Sequence, residues 1–301
     1  MPPISTSNTT TARIWDPLSL ALGLGFAFMW SSAFTSARII VETAPPLTTL
    51  SLRFLVSGLL ALGIGWTMGQ RLRLDRAGWR ATVIFGLCQN TLYLGLYFLA
   101  MQTVPASLAA IMASTMPLLV AIIGFAVFGQ RVSPLGWAGL AAGIAGVALI
   151  MGTRVQGGAD LFGLALCGIG VTALAVATLV VRGASAGGNL LMVVGAQMLV
   201  GAVSLGAISA LLEPWAIPWE SRLTLAFLYT TLIPGLAATL VWFLLVGRIG
   251  AVRAATYHFL NPVFGVAIAW ALLGEPVGWS DAIGVAIATI GIFLVQTSRA
   301  G

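Results

Sequence analysis

Long apolar segments recur along this chain, and they limit its fold more strongly than any other feature. From Leu18 almost to the C-terminus, runs of roughly 17 to 25 apolar residues alternate with short polar breaks, and each run can span a hydrocarbon core of about 30 Å as a helix. Charged residues make up only 7% of the 301 positions, far below the roughly 25% of a soluble domain. Backbone polar groups in lipid must be satisfied internally, which requires helices rather than open sheets. We therefore expect an all-α integral membrane protein.

The spacing of these segments predicts ten transmembrane helices, with no connection long enough to form a soluble domain. The predicted spans are residues 18–37, 47–68, 79–101, 106–128, 135–152, 161–181, 189–211, 222–246, 252–273 and 280–297. Residues 1–17 form a predicted cytoplasmic N-terminal tail. The tail shows no cleavable signal-peptide pattern, so we expect the first helix to stay in the membrane.

The basic residues are distributed unevenly between the predicted connections. All 14 of them are arginine. If the N-terminus is cytoplasmic, ten lie on the cytoplasmic side: Arg13, Arg71, Arg73, Arg76, Arg80, Arg131, Arg182, Arg248, Arg253 and Arg299. Arg38, Arg154 and Arg222 are then external, and Arg53 lies within the second helix. This is the positive-inside pattern, so we expect both termini in the cytoplasm, and the net charge of +6 needs no nucleic-acid partner. A chain rich in Ala, Gly and Arg without lysine favours a GC-rich bacterial genome and hence the inner membrane.

The second half of the chain repeats the first. Residues 106–149 match residues 251–294, at an offset of 145, in about a dozen identical positions. The identical pairs include Ala109/Ala254, Pro117/Pro262, Gly129/Gly274, Val132/Val277, Gly139/Gly284 and Gly146/Gly291. The repeat predicts two five-helix units, 18–152 and 161–297. Because five is odd, the second unit enters the membrane from the opposite side, and such inverted repeats are typical of transporters with a solute site near the midplane.

Several short motifs point to a known family. They are Tyr97-Phe98-Leu99-Ala100, Ala106-Ser107-Leu108-Ala109-Ala110, Pro117, Gly129-Gln130-Arg131-Val132 and Gly139 with Gly146, together with Gly274-Glu275-Pro276-Val277 in the second unit. These motifs resemble the EamA repeat of the drug/metabolite transporter superfamily over nearly the whole chain. Within it the chain is most similar to the YddG-type amino-acid exporters, which implies a neutral or aromatic amino acid as the solute. The family commonly has Glu where this chain has Gln130, whereas Glu275 keeps the acid.

Polar and aromatic side chains inside the predicted helices are the candidate solute-binding residues, because polar groups in a membrane are costly unless they face a cavity or a partner. The candidates are Trp30, Arg53, Asn90, Tyr93, Tyr97, Ser114, Tyr229, Trp242, Tyr257, His258 and Asn261. Asn90, Tyr93 and Tyr97 share one helix face. Packing between helices is the alternative role for the aromatic residues and His258, and snorkelling or pairing with a carbonyl is the alternative for Arg53.

Two prolines near the middle of their predicted helices are candidate hinges. Pro117 and Pro262 each remove one helical hydrogen bond, in corresponding positions of the two units. Gating at these points and a static kink that shapes the cavity are both consistent with the sequence.

These observations predict a transporter that exports small neutral or aromatic amino acids by alternating access. No Asp or Glu lies in the interior of a predicted helix, which favours transport driven by the solute gradient. The alternative is an exporter of lipophilic cations or other drug-like metabolites, with proton coupling. One histidine and two isolated cysteines, Cys88 and Cys167, are too few for an intramembrane enzyme or a metal site. We expect no cofactor and a monomer, with a homodimer as the alternative.

Overall fold

The computed structural model describes residues 17–129, 131–156, 158–180, 189–249, 254 and 256–298. Within these residues the chain is helical and contains no strand. Eight described helices are long and apolar enough to cross a membrane, and two shorter apolar helices follow at Asn261–Leu273 and Trp279–Val295. Length and composition therefore support a multi-pass helical membrane protein. The predicted tail, Gln130 and the predicted cytoplasmic residues Arg182, Arg253 and Arg299 lie outside the described residues.

The helices follow the predicted spans closely, with breaks in four of them. The elements are α1 (Pro17–Val41), α2 (Pro46–Thr67), α3 (Arg76–Phe85), the π-helical segment π1 (Gly86–Leu94), α4 (Gly95–Ala100), α5 (Ala106–Ala113), α6 (Met116–Phe128), α7 (Pro134–Gln156), α8 (Leu161–Val180), α9 (Leu190–Leu212), α10 (Ser221–Thr230), the π-helical segment π2 (Thr231–Ala237), α11 (Ala238–Ile249), a 3₁₀ segment (Thr256–Leu260), α12 (Asn261–Leu273) and α13 (Trp279–Ser298). The predicted span 79–101 is thus α3, π1 and α4 in succession, and the span 106–128 is interrupted between α5 and α6.

Two antiparallel helix pairs pack with almost no side chain between their backbones. In the pair of α7 with α13, a Cβ added to Gly146 would come within 2.6 Å of the Gly284 carbonyl oxygen. In the pair of α2 with α9, a Cβ on Gly195 would lie 2.9 Å from the Gly58 carbonyl oxygen. Lipid offers no hydrophobic drive for association, so close backbone contact at small residues supplies the packing energy.

The helix ends define two faces of the bundle. The first end carries the connection 68–75 and the start of α9, because the Gln70 side chain accepts from the Leu191 amide at 2.9 Å. The second end carries the connections 42–45 and 213–220, since Glu213 bonds to the start of α2. If the termini are cytoplasmic, as the arginine distribution predicts, the first end faces the cytoplasm.

The pair of α7 with α13 gives a direct stability prediction. A Cβ on Gly291 would overlap the backbone of Gly143 and come within 2.6 Å of the Gly139 carbonyl oxygen, so the two helices must separate. We expect Gly291→Leu to destabilise the protein by about 1–3 kcal/mol, measured as thermal unfolding in detergent. Gly152→Leu on α7 is the matched control, because open space surrounds its Cβ position. Equal melting temperatures for the two variants would contradict this packing.

Candidate functional site

A cavity of about 410 Å³ lies between the helices, in the half of the bundle nearer the first end. Its position follows from Phe26, Phe85 and Trp242, which lie in the first-end halves of their membrane spans. The lining residues are Phe26, Trp30, Phe34, Phe85, Gln89, Asn90, Tyr93, Ala113, Ser114, Met116, Pro117, Leu174, Thr178, Val194, Gln197, Met198, Thr239, Trp242, His258 and Asn261. The structure therefore brings seven of the eleven predicted binding residues, and Pro117, to one cavity.

One wall of the cavity is an aromatic cluster around His258. The His258 ring centroid lies 5.1 Å from that of Phe26, 6.1 Å from Trp30 and 5.2 Å from Trp242. Phe26 and Trp242 also contact each other, with centroids 4.8 Å apart. Aromatic faces of this kind can bind apolar rings by stacking and cations through the ring quadrupole.

A few hydrogen-bonding groups are fixed around this wall. The Asn261 amide nitrogen lies 3.0 Å from His258 Nδ1, and Ser31 Oγ donates to the Asn261 carbonyl at 3.3 Å. Across the cavity, Asn90 Nδ2 donates to the Gln197 carbonyl at 2.8 Å. These bonds hold the two amide side chains in place while leaving further donor and acceptor capacity for a solute.

Both predicted hinge prolines lie where a helix is interrupted. Pro117 follows the turn at Ser114 and Thr115 and lies in the first turn of α6. Pro262 lies in the first turn of α12, directly after the 3₁₀ segment. Without an N–H, Pro117 cannot donate to the Ala113 carbonyl, and Pro262 cannot donate to the His258 carbonyl. Ala113 and His258 both line the cavity, so both interruptions lie at its wall.

A smaller chamber of about 50 Å³ continues from the main cavity toward the second end. The two share Trp30, Phe34, Gln89 and Tyr93 in their linings. Two more of the predicted residues, Arg53 and Tyr97, line the chamber, together with Ala37, Phe98, Met101 and Pro234, among others. A void of about 10–15 Å³ already holds one water, so the chamber has room for a small polar group and not for a whole amino acid.

Two predicted binding residues lie outside both spaces. Tyr229 donates to Ser32 Oγ at 2.8 Å and lines a separate groove beside α10. Tyr257 packs against Gly23, and its hydroxyl lies 3.4 Å from the Ser19 carbonyl oxygen. A regular α-helix would place Tyr257 on the same face as Asn261, four residues further on. The 3₁₀ segment changes the helical period at this point, and Tyr257 lies outside the cavity lining.

Several cavity residues were not among the predictions. Gln197 and Thr239 line the cavity from α9 and α11, and Gln89 does so from π1. Gln197 carried a usable signal, because it is an isolated amide in an apolar span and aligns with Arg53 at an offset of 144 residues. The apolar lining residues Phe26, Phe34 and Met116 had no such signal, because apolar residues occur on every face of these helices.

The two cysteines, both described, do not form a disulfide with each other. Cys88 and Cys167 are both free thiols. Among the described residues, no three His, Cys, Asp or Glu side chains come together as a metal-binding group.

The second end is closed by two carboxylates that cap helices of the other half of the chain. Glu275 accepts from the Ala106 and Ser107 amides at 2.7 and 2.9 Å, at the start of α5. Glu213 accepts from the Leu47 and Thr48 amides at 3.0 and 2.8 Å, at the start of α2. Each carboxylate satisfies two free N–H groups and interacts favourably with the helix dipole.

Further contacts link the connections at the second end. Arg38 donates to the Met101 carbonyl and pairs with Glu42 at 3.4 Å. The Thr103 hydroxyl donates to the Asp160 carboxylate at 2.6 Å and lowers the pKa of that carboxyl below its ordinary value.

On the same side of the cavity, a Cβ added to Gly265 of α12 would overlap the Ala110 side chain of α5. Closure at the second end leaves the main cavity in the other half of the bundle.

Comparisons with known proteins agree with this architecture. The sequence pattern of the EamA-like transporter family matches the chain over residues 17–152 and over residues 161–297. Uncharacterized transporter YvbV of Bacillus subtilis (strain 168) is 26% identical over 279 residues, which cover 92% of this chain and 91% of that protein. Uncharacterized inner membrane transporter YedA of Escherichia coli (strain K12) is 27% identical over 281 residues, covering 90% and 88%. A solved crystal structure with 21% identity superposes with a TM-score of 0.69 over 94% of this chain and 98% of the other, which shows a shared fold.

The Glu275 cap gives a local prediction for the second end. An amide at this position offers one acceptor oxygen and no charge, so we expect Glu275→Gln to weaken the start of α5 by about 1 kcal/mol. Amide hydrogen exchange in the peptide that contains Ala106 and Ser107 should become roughly fivefold to tenfold faster. Glu220→Gln is the matched control, because Glu220 makes no side-chain capping bond. Unchanged exchange in the Glu275 variant would show that the cap does not hold this end closed.

Proposed function

The chain belongs to the EamA-like transporter family, and from this premise we propose that it exports small neutral or aromatic amino acids and related metabolites by alternating access. The protein is a multi-pass membrane transporter of the drug/metabolite transporter superfamily and not an enzyme. The solute, the direction of transport and the coupling are the proposed parts. We place the protein in the bacterial inner membrane with both termini in the cytoplasm, as a monomer that needs no cofactor.

The aromatic wall of the cavity is the observation that carries the choice of solute. Phe26, Trp30 and Trp242 surround His258, and Asn90 and Asn261 add fixed amide groups. A largely apolar cavity with a few convergent polar groups suits a small amphipathic molecule. The carbonyls beside Pro117 and Pro262 supply acceptors for its ammonium group, as interrupted helices do for cations in other transporters.

The arrangement of the two halves supports alternating access. The family pattern matches two successive regions of nearly equal length, residues 17–152 and 161–297, in accordance with two inverted five-helix units at 18–152 and 161–297. Units of opposite orientation can exchange conformations, which opens the cavity first to one side and then to the other. The described conformation, with its second end closed, corresponds to the state that opens toward the cytoplasm if the termini are cytoplasmic.

The positions of the Asp and Glu side chains favour transport driven by the solute gradient. The seven Asp and Glu residues in the described part of the chain lie near helix ends or in connections, and none of them lines the cavity. Among the described residues that line the main cavity, His258 is the imidazole that could accept a proton, and its Nδ1 already interacts with the Asn261 side-chain amide. A second proton on the ring would make His258 Nδ1 a donor that faces the N–H₂ group of Asn261, which is also a donor. Protonation of His258 therefore requires the Asn261 side chain to rotate.

A lipophilic cation is the second candidate solute, and the same aromatic wall favours it. None of the residues that line the main cavity carries a fixed positive charge, and rings around a cavity bind organic cations. This alternative predicts transport of planar aromatic cations that does not depend on a carboxylate in the solute.

Uptake into proteoliposomes tests the proposal. We expect labelled neutral and aromatic amino acids to enter with saturable kinetics when no ion gradient is imposed. Because Trp242 and His258 form the aromatic wall, Trp242→Ala and His258→Ala should each lower uptake about tenfold. Trp279→Ala is the matched control, since this tryptophan is 87% exposed outside the cavity.

The same experiment separates the alternatives. Amino-acid uptake that follows an imposed pH gradient would replace the gradient-driven proposal with proton coupling. No amino-acid uptake under either condition, together with uptake of labelled aromatic cations, would overturn the proposed solute.

The helix interruptions give a prediction about gating. Pro117→Ala and Pro262→Ala restore an N–H donor to α6 and α12, and a continuous helix bends less readily. We expect each variant to transport several-fold more slowly while solute binding is retained. Pro134→Ala at the start of α7 is the control, because the described residues before it, 131–133, are not helical, so a restored N–H donor there joins no two helical segments. Transport at the original rate in both hinge variants would mean that the prolines shape the cavity and do not act as hinges.

A further inference from the structure

Arg53 is a buried cation within the membrane-spanning helix α2, in the half nearer the second end. It is 6% exposed and lines the small chamber between the main cavity and the second end. A charge in the apolar part of a membrane is costly and is tolerated where it faces a partner or a water-filled space. The contacts of Arg53 therefore show which of its N–H donors are bonded within the protein and whether its positive charge is neutralised there.

One donor of Arg53 has a structural role. Its Nε donates to the Thr230 carbonyl at 3.2 Å, and Pro234, four residues further on, has no N–H to offer that carbonyl. Ser57 supports the same region by donating to the Thr231 carbonyl at 3.4 Å. A neutral side chain with a single donor could also bond to the Thr230 carbonyl. The missing N–H of Pro234 therefore does not by itself explain why position 53 is an arginine.

The positive charge of Arg53 has no anionic partner in the described part of the chain. The described ion pairs involve Arg38 and Arg222 with Glu42, and no described carboxylate reaches Arg53. The guanidinium carbon lies 5.2 Å from the Phe54 ring centroid, a contact that compensates a buried charge only in part. Guanidinium has five N–H donors in a planar arrangement that matches a carboxylate.

Tyr97 is the second unsatisfied group of the chamber. Its side chain is fully buried, and its hydroxyl has no hydrogen-bond partner among the described residues. A buried hydroxyl without a partner is destabilising. Tyr97 lines the chamber together with Arg53, so a small acceptor group in this space could engage both side chains.

We propose that the small chamber is a carboxylate subsite, in which Arg53 and Tyr97 bind the carboxylate of a solute whose body occupies the aromatic cavity. The chamber adjoins that cavity, with Trp30, Phe34 and Tyr93 lining both spaces, and its volume of about 50 Å³ fits a group of this size. The subsite deepens the proposed function and rests on it, because it restricts the solutes to those with a carboxylate and excludes simple lipophilic cations.

Paired ligands that differ only in this group test the subsite. Dissociation constants of phenylacetate and phenylacetamide, and of L-phenylalanine and L-phenylalaninamide, can be measured for the full chain in lipid nanodiscs from the fluorescence of the cavity tryptophans. We expect each acid to bind at least about tenfold more tightly than its amide, since a hydrogen bond to a charged group is worth about 1.5–3 kcal/mol.

The variants connect this preference to the two side chains. Arg53→Gln should bring the ratio between acid and amide close to one, and Tyr97→Phe should lower it several-fold. Tyr97→Phe removes a hydroxyl that bonds to no described residue, so its fold should be intact even if Arg53→Gln weakens α10. Arg222→Gln is the arginine control, because Arg222 lies at the second end with its side chain 65% exposed.

The outcomes distinguish the subsite from the proposed function. Equal binding of acid and amide, absence of binding by both acids, or a preference unchanged in both variants would overturn the subsite. Binding of phenylacetate that depends on Arg53, without binding of L-phenylalanine, would keep the subsite and reject amino acids as the solute. Amino-acid uptake that persists in Arg53→Gln with unchanged affinity would keep the proposed function and reject the subsite.

Discussion

The structure depends on one constraint: a polar group in the apolar layer needs a partner from the protein or a cavity to face. Proline interrupts the spanning helices at Pro117, Pro234 and Pro262, and each interruption leaves a carbonyl without its usual donor. At Pro234 the donor comes from Arg53 on another helix. At Pro117 and Pro262 the interruptions border the main cavity. The cavity lies where the helices are interrupted, because only there can backbone polar groups face something other than lipid.

The two ends of the bundle meet this constraint with different chemistry. At the second end, Glu213 and Glu275 each accept two backbone amides of a helix from the other half of the chain. At the first end, the neutral side chains of Gln70 and Asn189 each accept one amide, from Leu191 and Arg71. A charged acceptor forms the stronger bond and also gains from the helix dipole. In the proposed alternating-access cycle, this difference would favour the conformation with the caps of the second end in place.

The sequence was sufficient for the membrane class and for the approximate helix boundaries, because the length of an apolar run is fixed by the thickness of the bilayer. Seven of eleven candidate residues also line the main cavity, since a polar side chain within an apolar span has few other places to lie. The rotation of each helix was harder to predict. Membrane helices are apolar on every side, so Tyr229 and Tyr257 carried no periodic signal to show that they face elsewhere. The π-helical segments π1 and π2 also change which residues of a helix share a face, and the periodicity of the sequence does not reveal this change.

A carboxylate subsite has a consequence for the transport cycle. In the proposed subsite, a solute carboxylate would compensate Arg53 in the loaded carrier, whereas among the described residues Arg53 contacts only the Phe54 ring and the Thr230 carbonyl. Changing conformation with an unpaired buried charge is costlier than changing it with a paired one. The loaded carrier then exchanges between its two states more readily than the empty carrier, so that the solute itself lowers the barrier to its own export. No proton or ion is needed for this effect, in accordance with a cavity whose lining contains neither Asp nor Glu.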